Sequence, residues 1–484
     1  MPVLRAPGKN TGQRTAPPAL SVRLSGGIAL EAQADGNIAA CFEEHSIGLG
    51  KFSSVTAKSA QELRTGLPLD RTADEEIDSL VRRLARRGLV EYSLGPGRDG
   101  NDLVVIEPQV PDYWPQTPKL ANTETIVLSR FAYLRRRGNE MVLESPRAAA
   151  LFRICDPGIA AALATLSKPR QIKKFRRQDG FPGKELLALL VDCQILFRIE
   201  AGAGNDLRAA EGDDNLVLWD FHDLLFHTHS TEGRQANPLG GLYPYAGMIP
   251  PPPAVRPRWP GKKIDLDKSA APSQDLSPFV KLLHERHSTR DFDDRQPITL
   301  AELARFLEDT ARIQSRWKSR LDGGGPMITY TTRPYPSGGS AYELELYLSV
   351  ANCNGLARGF YHYDADRHAL VPIGVRDHEL NAQLMAAEFA MDAPGTPQIL
   401  ITIAARFDRI SWKYSSIAYS LILKDVGVLL QTLYLMATEM GLGGCAIGST
   451  NIDLFARMTG IEFHVEGPVG LFALGRGSKP EVAG

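Results

Sequence analysis

Four consecutive prolines, Pro250 to Pro253, sit within a stretch from about Gly202 to Gln274 that is rich in proline and glycine (GLYPYAGMIPPPPAVRPRWPGKK). Proline lacks the backbone donor that helices and ladders need, and a proline run favours extended polyproline geometry without internal hydrogen bonds. Such a segment lies along a surface as a connector instead of folding alone. It divides the chain, whose 484 residues already exceed the ~250 to 300 at which single cores stop growing, into two halves. The division expected is a flexible tail over 1–18, a first unit over 19–112, a second over 123–201, the connector over 202–274 and a C-terminal domain over 275–484.

Hydrophobic residues at 43% and charged residues at 23% match an average soluble protein, which argues against wholesale disorder. Fifty-five basic against fifty-six acidic side chains exclude a whole-protein electrostatic footprint for nucleic acid, so any basic site is local. Cys41, Cys155, Cys193, Cys353 and Cys445 are scattered and odd in number, with no zinc-ligand spacing, which reads as reduced thiols and a cytoplasmic protein. The N-terminus has no apolar core segment of a secretory signal. The most apolar stretch, Ser416 to Met440, holds Lys424, Asp425 and Glu439. Inside a bilayer each charge would cost ~2.5 to 3.5 kcal/mol, so a buried helix is expected there and no membrane association.

The first 200 residues repeat one plan. Leu20 to Glu31 alternates like a strand, Asp74 to Arg87 places Ile77, Leu80, Val81 and Leu84 at helical spacing, and Gly88 stops that helix. LVEYSL and LVVIEP then read as strands around a Gly/Pro turn. RFAYLRRRGNEMVLES opens the second copy as a hairpin, and KELLALLVDCQILFRIE closes it as helix and strand. Helix, stop and two strands outline a winged helix, so two winged-helix-like units are expected. Arginines 82, 83, 86, 87 and 135–137, with the basic run 173–177, fit a solvated face or a peptide clamp equally well. DNA binding is the minor alternative.

After Ser277 helices and strands alternate in an α+β pattern: a helix over 300–312, strands over 343–351, from 360 and over 399–404, the long helix 416–440, and VGLFALG as the last strand. In the connector, His222, His227 and His229 raise a metal reading, but no acidic or cysteine partner stands at ligand spacing and packing is the better account. The sharpest local signal is RHSTRDF. Arg286, His287, Ser288 and Arg290 bring two guanidiniums, an imidazole and a hydroxyl into five residues, a compact donor set for a phosphate monoester.

RHSTRDF followed by ITLAELARFL resembles the opening of the nitroreductase superfamily, whose first such motif binds the phosphate and ribityl chain of FMN. RPYPSGGS resembles the family's Pro-Ser loop at the flavin ring, GLGGCAIGS the loop packed over the isoalloxazine, and Gly475-Arg476 the terminal phosphate contact. Four segments in the family's order imply an FMN domain in which Arg286, His287, Ser288, Arg290 and Arg476 hold phosphate and ribityl groups. Pro336, Ser337, Gly338, Gly339, Ile447, Gly448 and Ser449 would then line the ring. PYPSGGSAYELELYL, GFYHYDADRHAL and SWKYSSIAYSLILKDVGVLLQTLYL are similar to the branch of SagB-type azoline dehydrogenases, which make thiazoles and oxazoles in ribosomally synthesised peptides. That branch implies a leader-bearing precursor peptide and a cyclodehydratase partner; the resemblance of the flavin site to the nitroreductase kind implies a homodimer, and oxygen is the expected reoxidant of the flavin.

The resemblance also singles out Lys413 and Tyr414, a Lys-Tyr dipeptide that stands by the flavin in that branch. Azoline oxidation removes one ring hydrogen as hydride and its neighbour as a proton, so a base is required, and either residue can serve. Ser420 departs from the arginine expected after the second tyrosine of this segment. Two other readings remain: an NAD(P)H-dependent reductase of flavins or nitro compounds, and an idle scaffold for a precursor peptide or partner enzyme.

Overall fold

The structure is a computed structural model describing residues 19–33, 35–42, 45–69, 75–95, 102–110, 112–175, 183–199, 214–231, 247–256, 258, 260–266, 276–320 and 325–478. The expected tail and most of the connector lie outside the described residues. Two compact units form, Met1–Val217 and Leu218–Gly484.

In the first unit, the strand expected over Leu20 to Glu31 is two, β1 (Ala19–Leu24) and β2 (Ala29–Ala32). Gly27 breaks it at φ 82°, a left-handed turn conformation that costs glycine no steric clash. β2 pairs with β3 (Asn37–Phe42), and β3 with β4 (His45–Lys51), as a small separate sheet. After α1 (Ser54–Ala60) and β5 (Leu67–Pro68) comes α2 (Glu75–Ala85), which buries Ile77, Leu80, Val81 and Leu84 as their spacing requires. β6 (Val90–Gly95) and β7 (Val104–Pro108) follow. The second copy supplies β8 (Thr125–Leu128), the hairpin β9 (Tyr133–Arg137) and β10 (Glu140–Glu144), and β11 (Ala150–Ile154). It ends with α3 (Pro157–Ala164), β12 (Arg170–Gln171), α4 (Lys184–Asp192) and β13 (Leu196–Ile199).

Each copy keeps a small three-stranded sheet of its own, β2-β3-β4 in the first and β12-β8-β13 in the second, but the larger sheet is common to both. β7 pairs with β11 from Val104↔Ile154 to Pro108↔Ala150, which fuses them into one seven-stranded sheet, β5-β1-β6-β7-β11-β10-β9. Val104, Val105, Ile106 and Phe152 are buried at this seam, where two open edges would leave apolar side chains and backbone donors unsatisfied. A single core joins Val22 and Tyr92 of the first copy to Phe152 and Leu187 of the second.

Several of the basic residues singled out in this half have partners within it. Arg82 pairs with Asp78 and lies over the Trp114 ring, Arg83 donates to the Leu49 carbonyl, and Arg86 faces Asp112. Arg135 pairs with Glu144 and Arg137 with Glu107.

The second unit begins with α5 (Phe221–His229), N-capped by Asp220. His227 is fully buried, with Nδ1 2.9 Å from Tyr419 Oη and its ring among Trp219, Phe407 and Phe463. It is spent on packing, and the described residues contain no cluster of metal-ligating side chains. α6 (Pro278–Glu285) and α7 (Leu300–Ala311) follow, α7 starting from a reciprocal capping box between Thr299 and Glu302. β14 (Ser315–Arg320) and β15 (Met327–Thr332) make an unforeseen two-stranded ribbon on which Trp317 stacks on Tyr330 at 5.4 Å.

β16 (Leu344–Val350), β17 (Gly359–Asp364), β18 (Ala369–Ile373), α8 (Asp377–Met391), β19 (Ile399–Arg406), α9 (Ala418–Glu439), β20 (Gly443–Ile447), α10 (Ile452–Thr459) and β21 (Glu466–Gly475) complete the unit. Six strands form an antiparallel sheet in the order β18-β17-β16-β19-β21-β20. β19 is central and buried from Ile399 to Ala405, which explains its unbroken apolar run. α9 is long and apolar enough to cross a membrane by composition, yet Ile422, Asp425, Val426, Leu429 and Leu433 are buried on one face and it packs on β20, α7, α6 and β21.

Candidate functional site

The end of α6 sets the first cluster. Arg286 leaves the helix at φ −56° and ψ 123°, so the chain continues extended past β20. Thr289 N–H donates to the Gly444 carbonyl at 2.9 Å. From α9, Tyr434 Oη lies 2.8 Å from Ser288 Oγ and accepts the Ala446 N–H at 2.8 Å, while the Arg286 guanidinium stands 5.2 Å from the Tyr434 ring centre. His287 Nδ1 faces the Glu285 carbonyl at 2.9 Å and must donate, because a carbonyl only accepts. Neither Arg286 nor Arg290 pairs with a carboxylate among the described residues. Two unneutralised guanidiniums beside an exposed imidazole and a hydroxyl suit an anion, and they fit the phosphate of FMN.

Arg476 reaches this cluster by its backbone. Its carbonyl accepts Asp293 N–H at 2.9 Å, and its N–H donates to Gln398 Oε1 at 3.0 Å. Its guanidinium is occupied, donating to Glu302 Oε1 at 2.7 Å. Gln398 is fully buried, and its amide also joins Ile298 N–H and the Asp293 carbonyl, pinning the segment that follows RHSTRDF.

The second cluster surrounds the Pro-Ser loop. Ser337 and Gly338 face α9: Asp425 Oδ2 accepts the Ser337 hydroxyl at 2.9 Å and the Gly338 N–H at 2.8 Å. Gly339 adopts φ 59°, and a Cβ there would overlap Tyr414 Oη and meet Lys413 Nζ. Lys413 Nζ donates to the Gly339 carbonyl at 2.8 Å and lies 5.5 Å from the ring centres of Tyr330 and Tyr414. The short helix Phe407–Ser411 after β19 positions this dipeptide, since Lys413 N–H and Tyr414 N–H both donate to the Ile410 carbonyl. Lys413, Tyr414, Ser337, Gly338 and Gly339 are thus brought together, with Pro336 exposed at the loop's start.

The last group is split. Ile447 is buried against Leu380, Leu384 and Leu471, and Gly448 is exposed. Ser449 lines a cavity of about 170 Å³ with Gln383, Thr402 and Thr450. Ser420 is exposed on the first turn of α9. Asp425 and Tyr434, which anchor the two clusters, are nine positions apart on α9, about 14 Å at 1.5 Å per residue. Neither was singled out as a site residue; an aspartate inside so apolar a helix was the available signal for one of them.

The model of the nitroreductase family matches residues 283–476, and the model described as cyanobactin oxidase ThcOx matches residues 126–236. A Methanocaldococcus jannaschii protein named as a nitroreductase is 30% identical over 168 residues, which are 35% of this chain and 77% of that protein. Among solved structures, a protein of Ralstonia eutropha JMP134 described as a nitroreductase aligns at a TM-score of 0.32 and 22% identity over 43% of this chain and 88% of that one. A chain of the Escherichia coli microcin synthetase McbBCD complex, solved with truncated pro-MccB17 bound, aligns at a TM-score of 0.38 and 18% identity over 55% and 97%.

Proposed function

We propose, from the premise that this chain belongs to the nitroreductase family, that it is an FMN-dependent dehydrogenase that oxidises thiazoline or oxazoline rings of a ribosomally made peptide to thiazoles or oxazoles. The observation that supports the reading is the contact of Lys413 Nζ with the Gly339 carbonyl, with Tyr414 beside it: two side chains that could accept a proton, one as a neutral amine and the other as a phenolate, stand against the loop that would face the flavin. The match of 126–236 to a cyanobactin oxidase model supports a peptide-derived substrate.

Arg286, His287, Ser288 and Arg290 would hold the phosphate, and Ser337, Gly338 and Gly339 the ring. When bound, FMN supplies the acceptor for the hydride. Lys413 as a neutral amine, or Tyr414 as a phenolate, would take the proton from the neighbouring ring carbon, and the Tyr330 ring on the β14–β15 ribbon lies 5.5 Å from Lys413 Nζ. Residues 19–201 would bind the leader of the precursor, and a cyclodehydratase would supply the azoline. A homodimer would assemble through exposed apolar side chains of α6 and α9, among them Phe279, Leu283, Leu423 and Val428.

Lys413→Ala and Tyr414→Phe test the reading. Each should keep full flavin content while kcat for azole formation falls ~10²-fold or more, the usual scale for losing a general base. If both oxidise an azoline peptide within a few-fold of wild type, the pair is structural, and reduction of small nitro compounds or flavins with NAD(P)H becomes the leading reading.

A further inference from the structure

Beneath the Ser337–Gly339 loop lies a polar cluster that the proposed reaction does not use. Glu343 is 0% exposed and Asp425 6% exposed. Ser337 Oγ accepts Tyr342 N–H at 3.0 Å and lies 2.9 Å from Asp425 Oδ2 and 3.3 Å from Glu343 Oε2. A hydroxyl has one proton to give. The shorter contact assigns it to Asp425, which leaves Glu343 Oε2 facing an oxygen with nothing to donate, and among the described residues no donor reaches Glu343 Oε1.

Among the described residues no cation answers either carboxylate. Arg333 donates to the Leu344 carbonyl and faces Glu345 at 3.8 Å, Arg409 donates to the Ala341 carbonyl at 2.9 Å, and Lys413 donates to the Gly339 carbonyl at 2.8 Å. Arg406 touches Glu343 only through its backbone N–H, which donates to the Glu343 carbonyl at 2.9 Å. Among the described residues, Tyr335, buried with its hydroxyl unpartnered, and Tyr342 also stand nearby. Two charges here would repel in a medium that solvates neither. Burial above all, with the Asp425 charge adding to it, pushes the Glu343 carboxyl up to about 7.

The loop above is one that needs holding. Ser340 at φ 55° and Tyr342 at φ 46° are non-glycine residues in the left-handed region, next to Gly339 at φ 59°. Such backbone persists only where surrounding contacts over-determine it, and Asp425 supplies two of them through Ser337 and Gly338.

We propose that Glu343 and Asp425 share one proton and act as positioning residues for the Ser337–Gly339 loop. With the proton present, Glu343 donates to Asp425, and Asp425 keeps Gly338 and Ser337 in the shape that receives the flavin. With the proton lost, repulsion pulls Asp425 from the loop and the site loosens. The second half of this statement rests on the flavin reading above; the shared proton does not.

The linkage has a definite sign. A carboxyl that holds its proton more tightly folded than unfolded stabilises most below the ordinary glutamate value of about 4.3. That contribution is lost as pH rises toward the folded value, about 7, and is constant above it. Glu343→Gln keeps a donor toward Asp425 and cannot ionise. Thermal unfolding of the full chain, followed from pH 5 to pH 8.5, should show the variant gaining on wild type up to about pH 7 and then holding its lead. FMN titration should show wild-type affinity falling about tenfold per pH unit at most between pH 6 and 8, while the variant changes less than twofold.

Asp425→Asn provides the second arm. It removes the repelling charge but keeps an oxygen for Gly338, so the wild-type step should move to lower pH. Unfolding curves for both variants parallel to wild type across this range would overturn the shared proton. If the unfolding arm succeeds and wild type binds FMN with a pH-independent affinity, the positioning role is overturned. If wild type binds no FMN at any pH, the flavin reading fails, and the unfolding arm still decides the proton.

Discussion

Arg286 and Arg290 differ from Arg476 in what they already touch. The first two have no carboxylate partner among the described residues, whereas the Arg476 guanidinium is committed to Glu302 at 2.7 Å. Replacing Arg286 and Arg290 together with alanine should remove charge-assisted bonds worth ~1.5 to 3 kcal/mol each, roughly tenfold or more in FMN affinity apiece. Full FMN occupancy of the double variant after dialysis would show that the phosphate is held elsewhere. The motif residues are legible because they are consecutive and their chemistry is explicit. Their anchors are not: Tyr434 meets Ser288 across 146 positions, Asp425 meets Ser337 across 88, and the polar half of each contact reads in sequence as one more residue of an apolar helix. Arg476 shows the converse limit, since a motif names a residue but not the carboxylate that will compete for it.

At the scale of elements, periodicity reports what one face of a segment must bury. It therefore identifies α2 and α7, and unbroken apolar runs identify α9 and the buried strand β19, each within a few residues of its observed ends. It misses what glycine and partners decide. Gly27 turns one expected strand into two, and β14–β15 escapes notice because all six residues of β14 are exposed and carry no buried stripe. The apolarity of α9 exceeds what its buried face needs: Leu423 is 38% exposed and Val428 37%. That surplus fits a proposed partner copy. Leu423→Asp combined with Val428→Asp should leave the circular dichroism spectrum unchanged, because neither side chain is in the core, and shift sedimentation toward the monomer. Sedimentation as a dimer at micromolar concentration in the doubly substituted protein would place the interface elsewhere.

The proposed function divides the work of the whole molecule between its two halves. The connector's prolines mark where the division falls, but not that both copies of the N-terminal plan share one sheet, because the β7–β11 pairing joins residues about 45 positions apart and no local pattern reports it. A chain beginning near Gly202 should fold, because the second unit starts at Leu218 and keeps the Trp219 indole bonded to the His464 carbonyl at 2.8 Å beside His227 and Phe407. It also keeps both clusters of the candidate site. We expect it to retain flavin and to oxidise a leaderless azoline peptide as the full chain does, while KM for a leader-bearing peptide rises ~10-fold or more, the equivalent of losing about 1.4 kcal/mol of binding. The basic side chains do not favour a nucleic-acid alternative, since Arg82, Arg86, Arg135 and Arg137 already face Asp78, Asp112, Glu144 and Glu107. A clamp does not depend on those charges, because a leader can add as a strand at the open edge of β5 or β9 and draw its affinity from backbone hydrogen bonds. Equal KM values for the full and shortened chains on the leader-bearing peptide would remove the clamp, and a mobility shift of duplex DNA by the full chain alone would assign the N-terminal half to nucleic acid instead.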